Sequence, residues 1–216
     1  VIANKNYSSW SMRPWVLLTQ AAIPFREVQL YFNDEGKLDD TNGLSPSGQV
    51  PVLWIDKEPV WDSLAICEAV AELYPQKLLW PTDPIARRVA RSVSAEMHAG
   101  FRELRTHMPM NIRSSHPGKG RTPAVEKDIA RIIEIWESCR ARFGTGGELL
   151  FGSFTCADAM YAPVVMRFLT YGVELPATAQ RYVNAVLGLP GVVRWRAGAA
   201  AETQFVAADE PYAART

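Results

Sequence analysis

The sequence predicts a mixed α/β unit followed by an all-helical one, and three observations carry that reading. Residues 1–75 alternate short strand-like apolar runs with helical periods, whereas nearly everything after them repeats at helical spacing. The signals in the first part fall in the order βαβ, then ββα. Between the parts, residues 76–82 have no period and contain Pro81, which marks a linker. The two units are therefore expected at 1–77 and 84–216.

Each element has its own signal. Val1 to Ala3 reads as a strand, Trp15 to Ala22 as a helix, and Phe25, Val28 and Leu30 as a second strand after the Ile23-Pro24 break. Pro14 has no N–H and fits best in a first helical turn, which puts the N-cap at Ser11 or later and leaves Ser8 and Ser9 in a loop. Apolar runs at Val52 to Ile55 and Val60 to Trp61 flank Asp56-Lys57-Glu58 as a hairpin. Ile66, Val70 and Leu73 then form the stripe of a helix that Tyr74-Pro75 ends. Asp83 at an N-cap with Pro84 behind it opens a long helix. Its stripe runs Ile85, Val89, Val93, Met97 and Phe101, continues through Leu104, Met108 and Ile112, and is kinked at Pro109. Thr122-Pro123 opens another helix, which Gly144 to Gly147 closes. Thr155 and Asp158 form a capping box at the start of the next. Leu175-Pro176 and Leu189-Pro190 begin two short helices, and the tail after Ala208 is expected to be loosely held.

Composition excludes whole classes. The chain is 48% hydrophobic and 21% charged, within the globular range. Its 23 basic residues balance 23 acidic ones without clustering, so nucleic acid and anionic membrane are not expected partners. No apolar run spans a bilayer, and the first residues show no basic and apolar leader pattern, although Val at position 1 leaves room for a preceding segment. Cys67, Cys139 and Cys156 are far apart, and His98, His107 and His116 have no metal-ligand spacing, so no metal and no disulfide framework are expected. That pattern suits a reducing, cytoplasmic setting. Cys67 reads as a small buried residue, and His98 and His116 as surface or packing residues.

A βαβ unit followed by ββα, with an X-Pro ahead of the third strand, is the thioredoxin-like arrangement. In residues 45–53, SPSGQVPVL, Pro51 stands at the mouth of a strand. A cis bond there would turn the Val50 N–H and C=O toward an extended peptide ligand; an ordinary trans edge proline is the plainer reading. Asp62-Ser63 starts the following helix, where free N–H groups favour an anion. Ser63 would hold a carboxylate and Asp62 an ammonium, the two charges of an amino-acid end, or the pair would simply cap the helix. The Ser8 and Ser9 hydroxyls have no histidine base nearby in sequence. They suit donation to a thiolate better than attack, with Arg13 and a helix N-terminus assisting, or they are spare capping groups.

Together these motifs resemble the glutathione S-transferase superfamily across nearly the whole chain. Residues 8–13, SSWSMR, resemble the SSC-x-x-R signature of its zeta class, and SGQVPVL followed by Asp-Ser resembles its glutathione site. The resemblance implies glutathione as co-substrate, with Ser8 as the thiolate-stabilising serine, Ser9 as runner-up and Arg13 nearby. Val50 and Pro51 would face the cysteinyl backbone, Asp62 and Ser63 the γ-glutamyl end, and Lys37 and Gln49 the glycyl carboxylate. Trp10 stands where the zeta class has its cysteine; it would either stack on an apolar co-substrate or pack between the domains. An electrophile pocket is expected between the domains, walled by Trp10 and the kinked helix around His107, Met108, Met110, Asn111 and Arg113, with Met108 given mainly to the core and Arg113 a candidate for a substrate anion. The implied function is a homodimeric glutathione transferase that presents a thiolate to a small, largely apolar electrophile; the alternative is a non-catalytic glutathione-binding or regulatory protein on the same fold.

Overall fold

The computed structural model describes residues 1–213, so the last three residues of the expected 84–216 unit lie outside the described residues. In chain order the elements are α1 (Ser9–Gln20), β1 (Leu53–Ile55), β2 (Glu58–Val60), α2 (Ser63–Leu73), α3 (Pro84–Ala99), α4 (Arg102–His107), α5 (Pro123–Phe143), α6 (Cys156–Tyr171), α7 (Ala177–Leu187) and α8 (Pro190–Ala201). This is an α/β unit followed by helices, as the periodicities predict.

The sheet is shorter than expected. Only β1 and β2 form a ladder, antiparallel, with Leu53 opposite Val60 and Ile55 opposite Glu58. Ile2 makes a single parallel bridge to Gln29, through Ile2 N to Val28 O at 2.9 Å and Leu30 N to Ile2 O at 2.8 Å. On its other side Val1 exchanges both bonds with Val52, at 2.7 and 3.1 Å. Residues 1–2 therefore lie between 28–30 and 52, and the two strands expected at Val1 to Ala3 and around Val28 shrink to single pairings. Continuing the antiparallel register by two residues would pair Ala3 with Val50. Instead the Ala3 N–H donates to Ser11 Oγ at 3.2 Å, and the chain leaves the sheet there to begin α1.

That diversion also corrects the start of α1. The N-cap is Ser8, whose carbonyl accepts from Met12 N at 3.1 Å and whose Oγ accepts from Ser11 N at 3.4 Å. Pro14 lies inside the helix rather than in its first turn. Capping hydroxyls and the Ser11 tie to Ala3 set the start, overriding the missing Pro14 donor. The helix is buried from Ser11 to Leu18 and packs against α2, α6 and α8.

Three other expectations change. Leu73, assigned to the α2 stripe, is 51% exposed, because it is the last residue of the helix and stands at the rim of a groove. In α3 the buried face is Ala86, Ala90, Val93, Ser94 and Met97, while Ile85 is 55% exposed. Small alanines at the interface let α3 approach α6 closely, which turns the larger Ile85 outward. The break expected at Pro109 comes at Gly100, where an added Cβ would lie 2.7 Å from the Glu96 carbonyl oxygen. Phe101 follows in the left-handed region, and Arg105 takes the end of α3 by donating to the His98 carbonyl at 3.2 Å and the Gly100 carbonyl at 2.5 Å.

α6 is the central helix of the second part. Every residue in it but Leu169 is buried, including Asp158 and Arg167. Asp158 accepts from Thr155 N at 2.9 Å, Thr155 Oγ1 at 3.1 Å and Leu150 N at 3.1 Å, the expected capping interaction with one more donor. Farther along, Thr170 Oγ1 donates to the Asn111 carbonyl at 2.8 Å and Tyr171 donates to that of Pro109 at 3.1 Å, which pins the loop after α4. The tail is not loose through Ala213: Ala208 N bonds to Asp34 O at 3.0 Å and Tyr212 donates to the His107 carbonyl at 2.8 Å. No described helix is long and apolar enough to cross a membrane.

Candidate active site

The site grows from the first turn of α1. Ser8 and Ser9 are both nearly buried, at 3% and 6% exposed, but their hydroxyls have different partners. Ser8 Oγ turns back into its own helix and donates to Ser11 Oγ at 2.8 Å. Ser9 Oγ accepts a hydrogen bond from Arg167 Nη2 at 3.1 Å, reaching across from α6. The same guanidinium donates through Nη1 to the Met108 carbonyl at 2.5 Å.

Three arginines from three helices converge here. Arg13, only 1% exposed, donates to Ser63 Oγ at 3.4 Å, and its Nε has no hydrogen-bond partner among the described residues. Trp10 lies between Arg13, 4.2 Å from its ring centroid, and Arg105, 5.0 Å away. His98 meets the same indole edge-on at 5.3 Å. Trp10 therefore packs against side chains of α1, α3 and α4, with two cations within reach of its ring. Among the described residues none of Arg13, Arg105 and Arg167 has a carboxylate within salt-bridge distance. Burial, with Arg105 and Arg167 adding repulsion, lowers Arg13 to about 9. Burial lowers Arg167 to about 10, against the opposing pull of Tyr171 and Asp209. Both stay charged at neutral pH, so this first turn is electropositive, with Asp62 and Asp209 acting on Arg13 and Arg167 only from beyond salt-bridge distance.

The sheet edge adjoins it. The Val50–Pro51 peptide is cis, as is Trp61–Asp62. With Ala3 diverted to Ser11, the Val50 N–H and C=O have no hydrogen-bond partner among the described residues. Pro51 reaches α1: together with Pro14, Trp15 and Ile66 it lines a cavity of about 40 Å³. Asp62 caps α2 by accepting from Leu64 N at 3.2 Å, and its other oxygen lies 3.0 Å from His98 Nε2. Ser63 beside it is fully buried. Lys37 and Gln49 lie on exposed loops, with Lys37 paired to Glu35 at 2.8 Å.

The other predicted wall residues do different work. Arg113 donates to the carbonyls of Glu202 and Gln204 and to Tyr7 Oη, so its charge holds the C-terminal segment. Tyr7 in turn donates to Glu210 at 2.7 Å. His107 is half-exposed beside Glu103 at 3.5 Å. Met108, Met110 and Asn111 are buried. The sequence reading missed Arg105 and Arg167, which lie far from the serines along the chain, and it assigned His98 to the surface or to packing. Only the charge of these arginines within apolar helix faces signalled a role. A larger cavity of about 610 Å³ lies elsewhere, between the ends of α1 and α2 and the sheet; Trp54, Leu73 and Tyr74 line it, and none of the predicted serines or arginines does.

Comparison with known proteins agrees with this layout. Residues 7–73 match the family model described as glutathione S-transferase, N-terminal domain, and residues 120–198 match the one described as its C-terminal domain. A probable maleylacetoacetate isomerase of Caenorhabditis elegans is 32% identical over 192 residues, covering 86% of each chain. The chain belongs to the glutathione S-transferase family. Among other relatives, glutathione S-transferase Z2 of Arabidopsis thaliana is 24% identical, over 84% of this chain and 90% of that protein. Among solved structures, a bacterial zeta-class maleyl pyruvate isomerase aligns with a TM-score of 0.70 at 20% identity, covering 94% of this transferase-family chain and 99% of its own. A Burkholderia glutathione transferase homolog with bound glutathione aligns at 0.68 and 20%, covering 90% and 94%.

Proposed function

We propose that this chain is a glutathione transferase of zeta-like character that ionises the glutathione thiol at the first turn of α1 and presents it to a small acidic electrophile. The observation that carries the reading is the convergence of Arg13, Arg105 and Arg167 at that turn, without carboxylate partners and beside the open sheet edge at Val50. Cations held away from bulk water with no carboxylate in direct contact favour anionic ligands, here a thiolate and a substrate carboxylate. A largely apolar electrophile stacked on Trp10 is the other reading; the guanidinium groups of Arg13 and Arg105 beside that ring favour an acid. An acid of the kind named by the isomerase relatives fits such a site; the thiolate sulfur then bonds to an alkene carbon of an unsaturated acid as its C=C π bond opens, and the carbanion formed either takes a proton from solvent or expels the thiolate again to complete an isomerisation.

Under this reading Val50 pairs with the cysteinyl backbone of glutathione and Pro51 shapes that edge. Asp62 and Ser63 hold the γ-glutamyl end, with Lys37 and Gln49 at the glycyl carboxylate. His98 supports Asp62 from the helical part. The division at 77 and 84, the homodimer and a cytoplasmic setting belong to the same proposal. A purely structural glutathione ligand would give Arg167 no reason to reach Ser9. An ultraviolet difference titration with glutathione at neutral pH tests the reading. Saturable binding with a thiolate band supports it, and absence of binding, or binding without ionisation, overturns it.

A further inference from the structure

Beyond the transferase reading, on which it rests, the geometry points to Arg167 as a positioning residue that acts through Ser9, making Ser9 rather than Ser8 the hydroxyl donor to the glutathione thiolate. The two serines differ in where their protons go. Ser8 Oγ donates to Ser11 Oγ at 2.8 Å, and Ser11 Oγ also accepts from Ala3 N at 3.2 Å, so the Ser8 proton is used within the α1 cap. Ser9 Oγ accepts from Arg167 Nη2 at 3.1 Å and donates to no atom among the described residues.

A hydroxyl whose oxygen already accepts from a buried cation is a stronger donor through its remaining proton, because the bonds in such a chain polarise one another. Arg167 is 5% exposed and is fixed by its second bond to the Met108 carbonyl, so it orients Ser9 at little entropic cost. The charged groups around it are Arg13, Arg105 and Asp209, with the neutral, titratable phenol of Tyr171 beside them. In the reaction, the glutathione S–H proton leaves to solvent, Ser9 keeps its own proton and hydrogen-bonds the sulfur anion, and no bond to Ser9 is made or broken. Arg167 comes from α6 and Ser9 from α1, so the helical unit sets the acidity of a thiol bound in the α/β unit.

The test follows the ultraviolet thiolate band of bound glutathione against pH in the full-length protein. Ser9→Ala and Arg167→Lys should each raise the midpoint of thiolate formation by about one pH unit, a tenfold loss of thiolate at fixed pH. A lysine cannot reach both Ser9 and Met108 as the planar fork does. The double variant should show no more than the larger single effect, since both act through one hydrogen bond. Ser8→Ala should move the midpoint less than Ser9→Ala, and this pair decides the question without disturbing the buried cation. Additive effects of S9A and R167K, an unmoved midpoint in R167K, or a larger effect of S8A overturns the inference while the wild type still ionises glutathione. A wild type that does not ionise glutathione overturns the transferase reading itself.

Discussion

Removing the Asp158 carboxylate gives a stability prediction whose pH dependence runs opposite to ordinary acid weakening of a helix cap. Asp158 is fully buried and accepts from Leu150 N, Thr155 N and Thr155 Oγ1. In Asp158→Ala the two backbone donors lose their acceptor, at about 1–3 kcal/mol each. Burial outweighs these hydrogen bonds and pushes the carboxyl up to about 6, so the folded protein at pH 7 carries an unfavourably ionised group that partly offsets them. The net cost of D158A at pH 7 is then about 2–4 kcal/mol. Between an unfolded carboxyl near 4 and the folded one near 6, the native state holds the proton more tightly, so wild-type stability rises as pH falls through that window. By pH 5 the wild type gains on the order of 1 kcal/mol from this group, which the alanine variant lacks. Urea unfolding of both proteins at pH 7, 6 and 5 should show the gap widening on acidification. A gap that narrows, or a cost below about 1 kcal/mol at pH 7, refutes the reasoning.

Further predictions follow from the site and the tail. Trp10→Ala removes the surface shared by Arg13 and Arg105 and should cost about 1–3 kcal/mol by urea denaturation; an unchanged midpoint contradicts the packing role. Asp62→Asn keeps the cap but removes the charge opposite a ligand ammonium, and glutathione affinity by calorimetry should fall about tenfold. Glu202 accepts from Lys5 N at 2.6 Å, Asn6 N at 2.9 Å and Gln29 Nε2 at 2.5 Å. Glu202→Ala should therefore speed hydrogen exchange at the Lys5 and Asn6 amides about tenfold or more, which a peripheral tail contact would not do.

Local chemistry alone determined much of this protein. Asp83-Pro84, Thr122-Pro123, Thr155 with Asp158, and Leu189-Pro190 all mark real helix starts, because capping oxygens and a missing proline N–H act within a few residues. The Val50-Pro51 and Asp62-Ser63 signals lie where the structure has an open sheet edge and a helix cap. Tertiary structure decided what depends on residues distant in sequence. It moved the start of α1 back to Ser8 by giving Ala3 N to Ser11, rotated α3 so that alanines rather than Ile85 face α6, and broke the helix at Gly100 because Arg105 takes its last carbonyls. It also brought Arg105 and Arg167 to Trp10 and Ser9, across about 95 and 158 positions of chain. Periodicity reports which face of a helix is apolar but not what that face meets. A buried cation beside a serine is a property of the packed chain, and only packing removes the water that would otherwise screen it.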